Sequence, residues 1–390
     1  MSNNLPIVNV EEFTSIVKQQ FVDGDFRPVF GLGKGGIGKT ESIETLAKEL
    51  NIGYVDIRLL LYSETDLKGI PFPNENHTKA VWLQNDILPD ESRDGARGIL
   101  VLDEITSCSR SLRTAAYQLL NERRLGEYKL PEGWMIVCLG NGEEDGGDFE
   151  GMEGNFMNRC SVYNVLPAPD VWIKWAIQNN VNPTVVAYVQ WRPSDLHTYK
   201  ETGDYSDLLF ASPRSWKAVS NILNHHPDEI ADRIVSSRIC GNLGNEVGER
   251  FMAFAKYRDK TVSPDAIMNW DVKEIEKLHN NIKEGGSNEI ILMTINEVVR
   301  KMIDEVDGEV EKAGGAKGRG VDFSDRTIVR VANAIKWFTL LPTLETRFMA
   351  ITQFRDNCKN SRYIMMNRKF MQACPEILKI AKDNTNVLVG

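Results

Sequence analysis

The sequence has little that would place it in a membrane or in an oxidising compartment. It contains no run of about 18 or more apolar residues, so we expect no membrane-spanning helix. Residues 1–8 lack a basic region followed by an apolar one, so we expect no secretory signal. These absences favour a cytoplasmic protein, in a bacterium or in the cytosol of a phage-infected host.

Cysteine and histidine are also scarce, with six and five residues. The cysteines lie far apart and form no C-x-x-C pair, which argues against a disulfide scaffold and against a zinc site. The histidines form no metal-spaced set, so histidine-based chemistry has no support. We therefore expect a reduced protein whose chemistry depends on other residue types.

Charge is distributed unevenly along the chain. The net charge is −9, of which the first 170 residues carry about −11 and the remainder about +2. Residues 312–370 hold about twelve lysines and arginines against about four acidic residues. This pattern argues against general nucleic-acid binding by the first part and leaves nucleic acid open as a partner of residues 312–370.

Strand and helix patterns alternate in the first 166 residues and then change. Apolar runs predict strands at 28–32, 53–57, 98–102, 134–139 and 161–165, and amphipathic periods predict helices at 10–21, 38–50 and 111–121. Residues 62–92 look like an insertion with hairpin character. Alternation of this kind is typical of a parallel three-layer α/β sheet. After Pro167 we expect helices alone, with a turn-rich joint at 241–248.

A glycine-rich loop follows the first of these predicted strands. Residues 33–40 match G-x-x-x-x-G-K-[ST], and the next residues begin a predicted helix. Glycines let backbone N–H groups surround phosphates, and the helix directs its positive end to the same place. Lys39 would place a charge on the β and γ phosphates, and Thr40 would offer its hydroxyl to Mg²⁺. The predicted nucleotide-binding set is Gly33, Lys34, Gly35, Gly36, Ile37, Gly38, Lys39, Thr40 and Glu41.

A second interpretation of this loop arises from Lys34-Gly35-Gly36. It resembles the deviant phosphate loop of the ParA/MinD class, in which a second lysine crosses a dimer interface. That interpretation requires a later acidic residue without an adjacent catalytic glutamate. The next motif argues against it.

Two acids follow the apolar run 99–102. Asp103, at the end of the predicted strand, can hold the Mg²⁺ water shell, and Glu104 can act as general base toward the attacking water. An exposed acidic pair after a strand would look the same in isolation. The phosphate loop some 60 residues earlier favours the catalytic interpretation.

Three further polar residues are candidates for the hydrolysis site. Asn141 follows the next apolar strand and could orient the water, although asparagine before glycine is also common in plain turns. Arg159 precedes the last strand and could reach a neighbouring subunit's γ-phosphate, or form a surface ion pair. Arg214 lies at a predicted helix start and could close over the nucleotide, or remain solvated.

Together these residues resemble the MoxR branch of AAA+ ATPases over about residues 25–255. Further blocks of the family occur in the same order: 54–58, 64–71, 98–105, 115–120, 124–128 and 212–216. The resemblance implies Walker A at 33–40, Walker B at 100–104, sensor 1 at Asn141, the arginine finger at Arg159 and sensor 2 at Arg214. The sequence departs from the family at Lys34, where many members have proline, and at Cys160, where phenylalanine is usual.

The resemblance also implies an architecture and a class of activity. It implies an AAA+ α/β core at 1–166, an all-α lid at 167–245 and an α-helical C-terminal domain of unknown role at 246–390. Family members have a helix-2 insertion and a hairpin before sensor 1, and they form hexamers. They act as chaperone-like remodelling ATPases with ATP and Mg²⁺, often beside a protein with a von Willebrand A domain.

Two other functions remain open at this stage. The first is a nucleic-acid motor of a phage replication or defence system that resembles the McrB-type relatives, because residues 312–370 interleave basic residues with aromatic ones. A plain helical domain, with its aromatics in the core and its charges solvated, would show the same pattern. The second is a nucleotide switch or scaffold that binds ATP without releasing phosphate.

Overall fold

The fold is given by a computed structural model that describes residues 5–83, 86–142, 158–199, 209–227, 229–285, 288–312 and 323–375. The strands are β1 (Ile7–Val8), β2 (Val29–Leu32), β3 (Gly53–Arg58), β4 (Ile70–Pro73), β5 (Ala80–Leu83), β6 (Arg97–Asp103), β7 (Arg124–Leu125), β8 (Tyr128–Lys129), β9 (Gly133–Gly140) and β10 (Ser161–Val165). The helices that accompany them are α1 (Val10–Asp23), α2 (Lys39–Leu50), α3 (Glu64–Lys68), α4 (Glu91–Asp94) and α5 (Arg110–Glu122).

The described chain after β10 contains helices and no strand. These helices are α6 (Pro169–Gln178), α7 (Pro183–Trp191), α8 (Pro213–His225), α9 (Arg233–Leu243), α10 (Asn245–Ala255), α11 (Pro264–Met268), α12 (Val272–Gly285), α13 (Asn288–Lys312), α14 (Asp325–Thr339), α15 (Leu344–Asn357), α16 (Ser361–Met365) and α17 (Arg368–Ala373). No helix of the described part is long and apolar enough to cross a membrane.

The chain divides into two compact units. Through their described residues, Met1–Val171, Tyr199–Leu208 and Ser212–Arg214 form the first, and Trp172–Thr198, Leu209–Ala211 and Ser215–Gly390 form the second. The finer division into a lid and a C-terminal domain at residue 245 stays a prediction.

The first unit is built on one six-stranded sheet. Its strand order is β1-β10-β2-β9-β6-β3, and every pair in it is parallel. Leu32 of β2 pairs with Gly140 of β9, and Leu102 of β6 pairs with Cys138 of β9. The carboxyl ends of these three strands therefore lie side by side, which is where ligands bind in open α/β sheets.

Strand β6 shows why this sheet is covered on both faces. Leu100 and Leu102 pack with apolar residues of α5, whereas Ile99 and Val101 pack with those of α1 and α2. All four side chains are fully buried. Because successive side chains of a strand point to opposite faces, one apolar run serves two cores. The predicted α/β fold with a parallel sheet and a helical C-terminal part is confirmed.

Two antiparallel hairpins lie outside the six-stranded sheet. The β4–β5 hairpin pairs Ile70 with Leu83 and Phe72 with Val81, within the insertion expected at residues 62–92. These four apolar side chains are exposed. The β7–β8 hairpin pairs Arg124–Leu125 with Tyr128–Lys129 and lies shortly before β9.

The second unit buries several of the aromatic residues that lie among basic ones in residues 312–370. Phe323, Trp337 and Phe338 belong to its apolar core and are at most 2% exposed. Arg330 is buried as well, and its guanidinium pairs with Glu305 at 2.7 Å and with Asp265. These three aromatic residues and Arg330 therefore have the positions expected in a plain helical domain, with the aromatics in its core.

The predicted joint at 241–248 is present but is confined to one residue. Helix α9 continues to Leu243 and α10 begins at Asn245, so only Gly244 separates them. Gly244 has a φ of +80°, a conformation that residues with a side chain rarely adopt. Two other glycines, Gly241 and Gly248, lie inside the helices, which made the sequence look more turn-rich than the structure is.

Candidate functional site

The glycine loop joins β2 to α2 at the carboxyl edge of the sheet. The backbone N–H of Gly33 donates to the carbonyl of Gly140 at 3.1 Å, so the loop begins directly beside the end of β9. Gly36 and Gly38 have φ values of +77° and +96°. A left-handed residue changes the direction of the backbone, so that successive N–H groups can point to the same side and form an anion-binding nest.

Lys39 is the first residue of α2 and lies folded into this loop. Its ammonium donates to the carbonyls of Gly33, at 2.7 Å, and Lys34, at 2.9 Å. The side chain is 8% exposed. A buried ammonium needs hydrogen-bonding partners, and a phosphate would offer it a charged one.

Thr40 and Asp103 bring the two motifs of the sequence together. The hydroxyl of Thr40 donates to Asp103 Oδ2 at 2.8 Å, across 63 positions of sequence. A hydroxyl and a carboxylate are hard oxygen ligands that Mg²⁺ accepts beside water and phosphate. The described residues hold no group of three or more acidic, histidine or cysteine side chains arranged for a metal. The Thr40 hydroxyl and the Asp103 carboxylate would suit a magnesium ion that arrives with its nucleotide.

The edge around Asp103 carries further negative charge. Partial burial raises the pKa of Asp56 on the neighbouring strand β3, and the negative charge of Asp103 raises it further. A cation bound at this edge would offset that concentration of charge.

Glu104 has an uncommon backbone conformation directly after β6. Its φ is +58°, a region in which residues other than glycine cost about 1–3 kcal/mol. Its N–H donates to Asp103 Oδ1 at 2.8 Å, and its carbonyl accepts from the N–H of Ser107 at 2.9 Å. The Glu104–Ser107 turn is therefore fixed at both ends, and the Glu104 side chain is half-buried.

Asn141 lies at the end of β9, next to the loop. Its N–H donates to Thr106 Oγ1 at 2.9 Å. A Cβ placed on Gly35 would lie 4.0 Å from Asn141 Oδ1, so the amide side chain approaches the phosphate loop. The structure thus brings together Gly33–Thr40, Asp103, Glu104 and Asn141.

Arg214 joins this set through its backbone. Ser212–Arg214 belong to the first compact unit, and the N–H of Arg214 donates to the carbonyl of Gly36 at 3.3 Å. The Arg214 side chain itself is exposed. The predicted helix start at Pro213 is confirmed, and its first two residues belong to the same unit as the loop.

Two further predicted site residues have exposed side chains. Glu41 is exposed in the first turn of α2. Arg159 is exposed in the turn before β10, and Arg27 donates to the carbonyls of Asn158 and Cys160 on either side of it. Arg27 therefore holds the backbone of this turn while the Arg159 side chain points to solvent.

Lys34, the departure from the family pattern, has a contact inside its own unit. Its ammonium donates to the carbonyl of Tyr199 at 3.4 Å. The role of a second lysine across a subunit interface stays an untested alternative.

A substitution at Gly36 tests whether the loop geometry binds nucleotide. A Cβ there would meet Ser212 Oγ at 3.1 Å in a left-handed backbone, so Gly36→Ala has to distort the loop. We expect its affinity for ATP, measured by titration calorimetry, to fall by about tenfold or more. The matched control is Gly24→Ala, which has a φ of +72° and open space around it. It should lower the melting temperature and leave ATP affinity unchanged; equal affinities of both variants would contradict the prediction.

Comparison with known proteins gives likeness in fold alone. No family model and no curated protein matches the sequence. One similar solved structure is a candidate ATPase from Cytophaga hutchinsonii, with 13% sequence identity and a TM-score of 0.31. A second is NtrX from Brucella abortus in complex with ATP, with 12% identity and a TM-score of 0.36. A third is Hsp104 in a closed state with ATPγS and FITC casein, with 14% identity and a TM-score of 0.35. The matches cover 76%, 78% and 64% of this chain, and 75%, 64% and 46% of those chains.

Proposed function

We propose that this chain is an ATP hydrolase of the AAA+ type that works as an assembled ring. The observation that carries the proposal is the hydrogen bond between Thr40 and Asp103. It joins a complete phosphate-loop motif to an acidic pair at the edge of a parallel sheet, and such loops at helix N-termini bind nucleotide phosphates.

Binding of ATP uses groups that the described structure already places. The loop N–H groups and the N-terminus of α2 would surround the phosphates, and Lys39 would exchange its two carbonyl partners for phosphate oxygens. Thr40 and Asp103 would hold Mg²⁺, which supplies charge neutralisation at the phosphates when bound. The alternation of left-handed glycines in the loop supports this assignment.

Hydrolysis would be completed by residues at the two strand ends and on a neighbouring subunit. Glu104 would take a proton from water as the water oxygen bonds to the γ-phosphorus. The bond from that phosphorus to the bridging oxygen breaks, which releases ADP and phosphate. Asn141 would orient the water, and Arg214 and a neighbour's Arg159 would stabilise the developing charge.

The biological role we propose is that of a MoxR-type machine, which remodels or activates a protein partner. The ordered family blocks support this role, as do the insertion hairpin β4–β5 and the β7–β8 hairpin before Asn141. A hexamer, a partner with a von Willebrand A domain and a cytoplasmic location belong to the same proposal. The burial of Phe323, Trp337 and Phe338 gives the nucleic-acid alternative no stacking surface at those residues.

Phosphate release by the purified chain tests the proposal. We expect turnover that requires Mg²⁺ and rises with protein concentration as rings assemble, measured alongside sedimentation. Bound ATP without phosphate release, in samples that sediment as rings, would favour the nucleotide-switch alternative. Salt-dependent binding of DNA or RNA, tested at low salt where phosphate contacts are strongest, would support the nucleic-acid alternative.

A matched pair of variants at Thr40 tests the magnesium site. Thr40→Ser keeps the hydroxyl, so its turnover should stay within about threefold of the wild type. Thr40→Val keeps the shape and loses the oxygen ligand, so its turnover should fall by at least about tenfold, with a higher Mg²⁺ requirement. Wild-type Mg²⁺ dependence in Thr40→Val would exclude Thr40 as a ligand.

A further inference from the structure

A buried hydroxyl connects the turn that carries Glu104 to the strand end that carries Asn141. Thr106 lies two residues after Glu104 and is fully buried. Its Oγ1 accepts the backbone N–H of Asn141 at 2.9 Å. Thr106 lies outside the motifs of the proposed function.

The surrounding backbone brings Thr106 close to β9. The N–H of Ile105 donates to the carbonyl of Leu139 at 3.1 Å. A Cβ on Gly140 would lie 2.8 Å from both Oγ1 and Cγ2 of Thr106, which is closer than atoms can pack. Thr106 can therefore pack this closely against the end of β9 only because residue 140 is a glycine.

Thr106 supplies a partner where the strand pairing has ended. The last residue pair of β6 and β9 is Leu102 with Cys138, three residues before Asn141. A backbone N–H withdrawn from water without a partner destabilises the fold. The Thr106 hydroxyl satisfies this N–H and at the same time determines where the backbone of Asn141 lies.

The same turn also fixes Glu104. Ser107 donates to the Glu104 carbonyl, and the Glu104 N–H donates to Asp103, so little freedom remains between Glu104 and Thr106. A displacement of Thr106 relative to β9 would change the position of Asn141 relative to Glu104. The reaction is sensitive to such changes, because a misplacement of about 1 Å can cost about 10²-fold in rate.

We propose, on the basis of the ATP hydrolysis proposed above, that Thr106 is a positioning residue that fixes the Asn141 amide relative to the Glu104 carboxylate. Its hydroxyl does this by accepting the Asn141 N–H. The carboxylate and the amide then meet the same attacking water. Thr106 is fully buried and lies outside the phosphate loop, so its effect belongs to the rate of hydrolysis and not to the binding of ATP.

Two matched pairs of variants separate the hydroxyl from the methyl group. Wild type and Thr106→Val both keep the methyl, and Thr106→Ser and Thr106→Ala both lack it. We expect Thr106→Val and Thr106→Ala to lower kcat by about tenfold or more, with KM for ATP changed by less than about threefold. We expect Thr106→Ser to retain at least about half of the wild-type kcat. If thermal melting shows that Thr106→Val does not fold, the comparison of Thr106→Ser with Thr106→Ala decides whether the hydroxyl is required.

Combination with Asn141→Ala tests whether Thr106 acts through Asn141. Thr106→Val should reduce kcat little further in the Asn141→Ala background, because the group that it positions is already missing. The inference would be overturned if the reductions in kcat caused by Thr106→Val and Asn141→Ala multiplied in the double variant. It would also be overturned if Thr106→Ser lowered kcat as much as Thr106→Ala, or if the variants raised KM without lowering kcat.

Glu104→Gln separates this inference from the proposed function. If the wild type releases phosphate, Glu104→Gln does not, and Thr106→Val matches the wild type, only the role of Thr106 fails. If the wild type releases no phosphate as assembled rings, the proposed function fails and the inference fails with it.

Discussion

Glu104→Gln should bind ATP with an affinity close to that of the wild type and release phosphate about 10²–10⁴-fold more slowly. The amide has the shape of the carboxylate and cannot accept a proton from water. The backbone bond from residue 104 to Asp103 Oδ1 does not involve the substituted side chain, so the acidic edge and the phosphate loop should keep their structure. The expected loss therefore lies in kcat and not in binding.

The measurement combines titration calorimetry with phosphate release under single-turnover conditions, which separates binding from chemistry. Glu122→Gln is a matched control, because Glu122 is an exposed glutamate at the end of α5 that accepts from Gln118. It should leave both quantities unchanged. Wild-type turnover in Glu104→Gln would exclude Glu104 as the general base, and loss of ATP binding would show that the carboxylate serves the structure of the site.

The sequence predicted the parts of the fold that follow from apolar periodicity. Strand β10 has the predicted bounds, and β6 and β9 extend only one residue beyond theirs at each end. Strand β1 was missed, because Ile7–Val8 is too short for a period and exists through its pairing with β10. The joint at 241–248 was predicted too long, because glycine content alone does not reveal that a helix continues through Gly241.

The proximity of the two motifs was predictable, because each has residue types at a characteristic spacing. Gly33–Thr40 and Asp103 follow from residue types at fixed spacing, and the structure joins them through Thr40. The contribution of Thr106 was not predictable, since its partner Asn141 is 35 positions away and the bond uses a backbone N–H that no residue type reveals. The left-handed φ of Glu104 was equally hidden, because a glutamate has no preference for it. A threonine directly after an Asp-Glu-Ile sequence was the only available signal.

Arg159→Ala should abolish hydrolysis, by about 10³-fold or more, and leave ATP affinity nearly unchanged. The structural reason is the way in which the turn before β10 is held. Arg27 binds the carbonyls on both sides of Arg159, at 2.6 Å and 3.4 Å, and Cys160 is buried, so the turn is anchored while the Arg159 side chain is exposed. An arginine presented in this way is suited to a nucleotide outside its own subunit.

Mixing two inactive variants tests whether Arg159 acts on a neighbour. Lys39→Ala should lose ATP binding and keep Arg159, whereas Arg159→Ala should bind ATP and lack the charge that completes the pocket. In a mixed ring, a Lys39→Ala subunit can supply its arginine to the ATP of an adjacent Arg159→Ala subunit, so phosphate release should reappear and depend on the mixing ratio. Arg233→Ala, which alters an exposed arginine of α9, is the control and should keep full activity alone.

Recovery of phosphate release on mixing distinguishes an Arg159 that acts on a neighbouring subunit from one that acts on its own subunit. If Arg159 acted on the nucleotide of its own subunit, each subunit of the mixture would still lack one essential group, and no ratio would restore turnover. If Arg159 served only the fold, Arg159→Ala would melt at a lower temperature and lose ATP binding together with turnover. Full activity in a sample that sediments as monomer alone would contradict a shared site, because a lone subunit has no neighbour to supply the arginine.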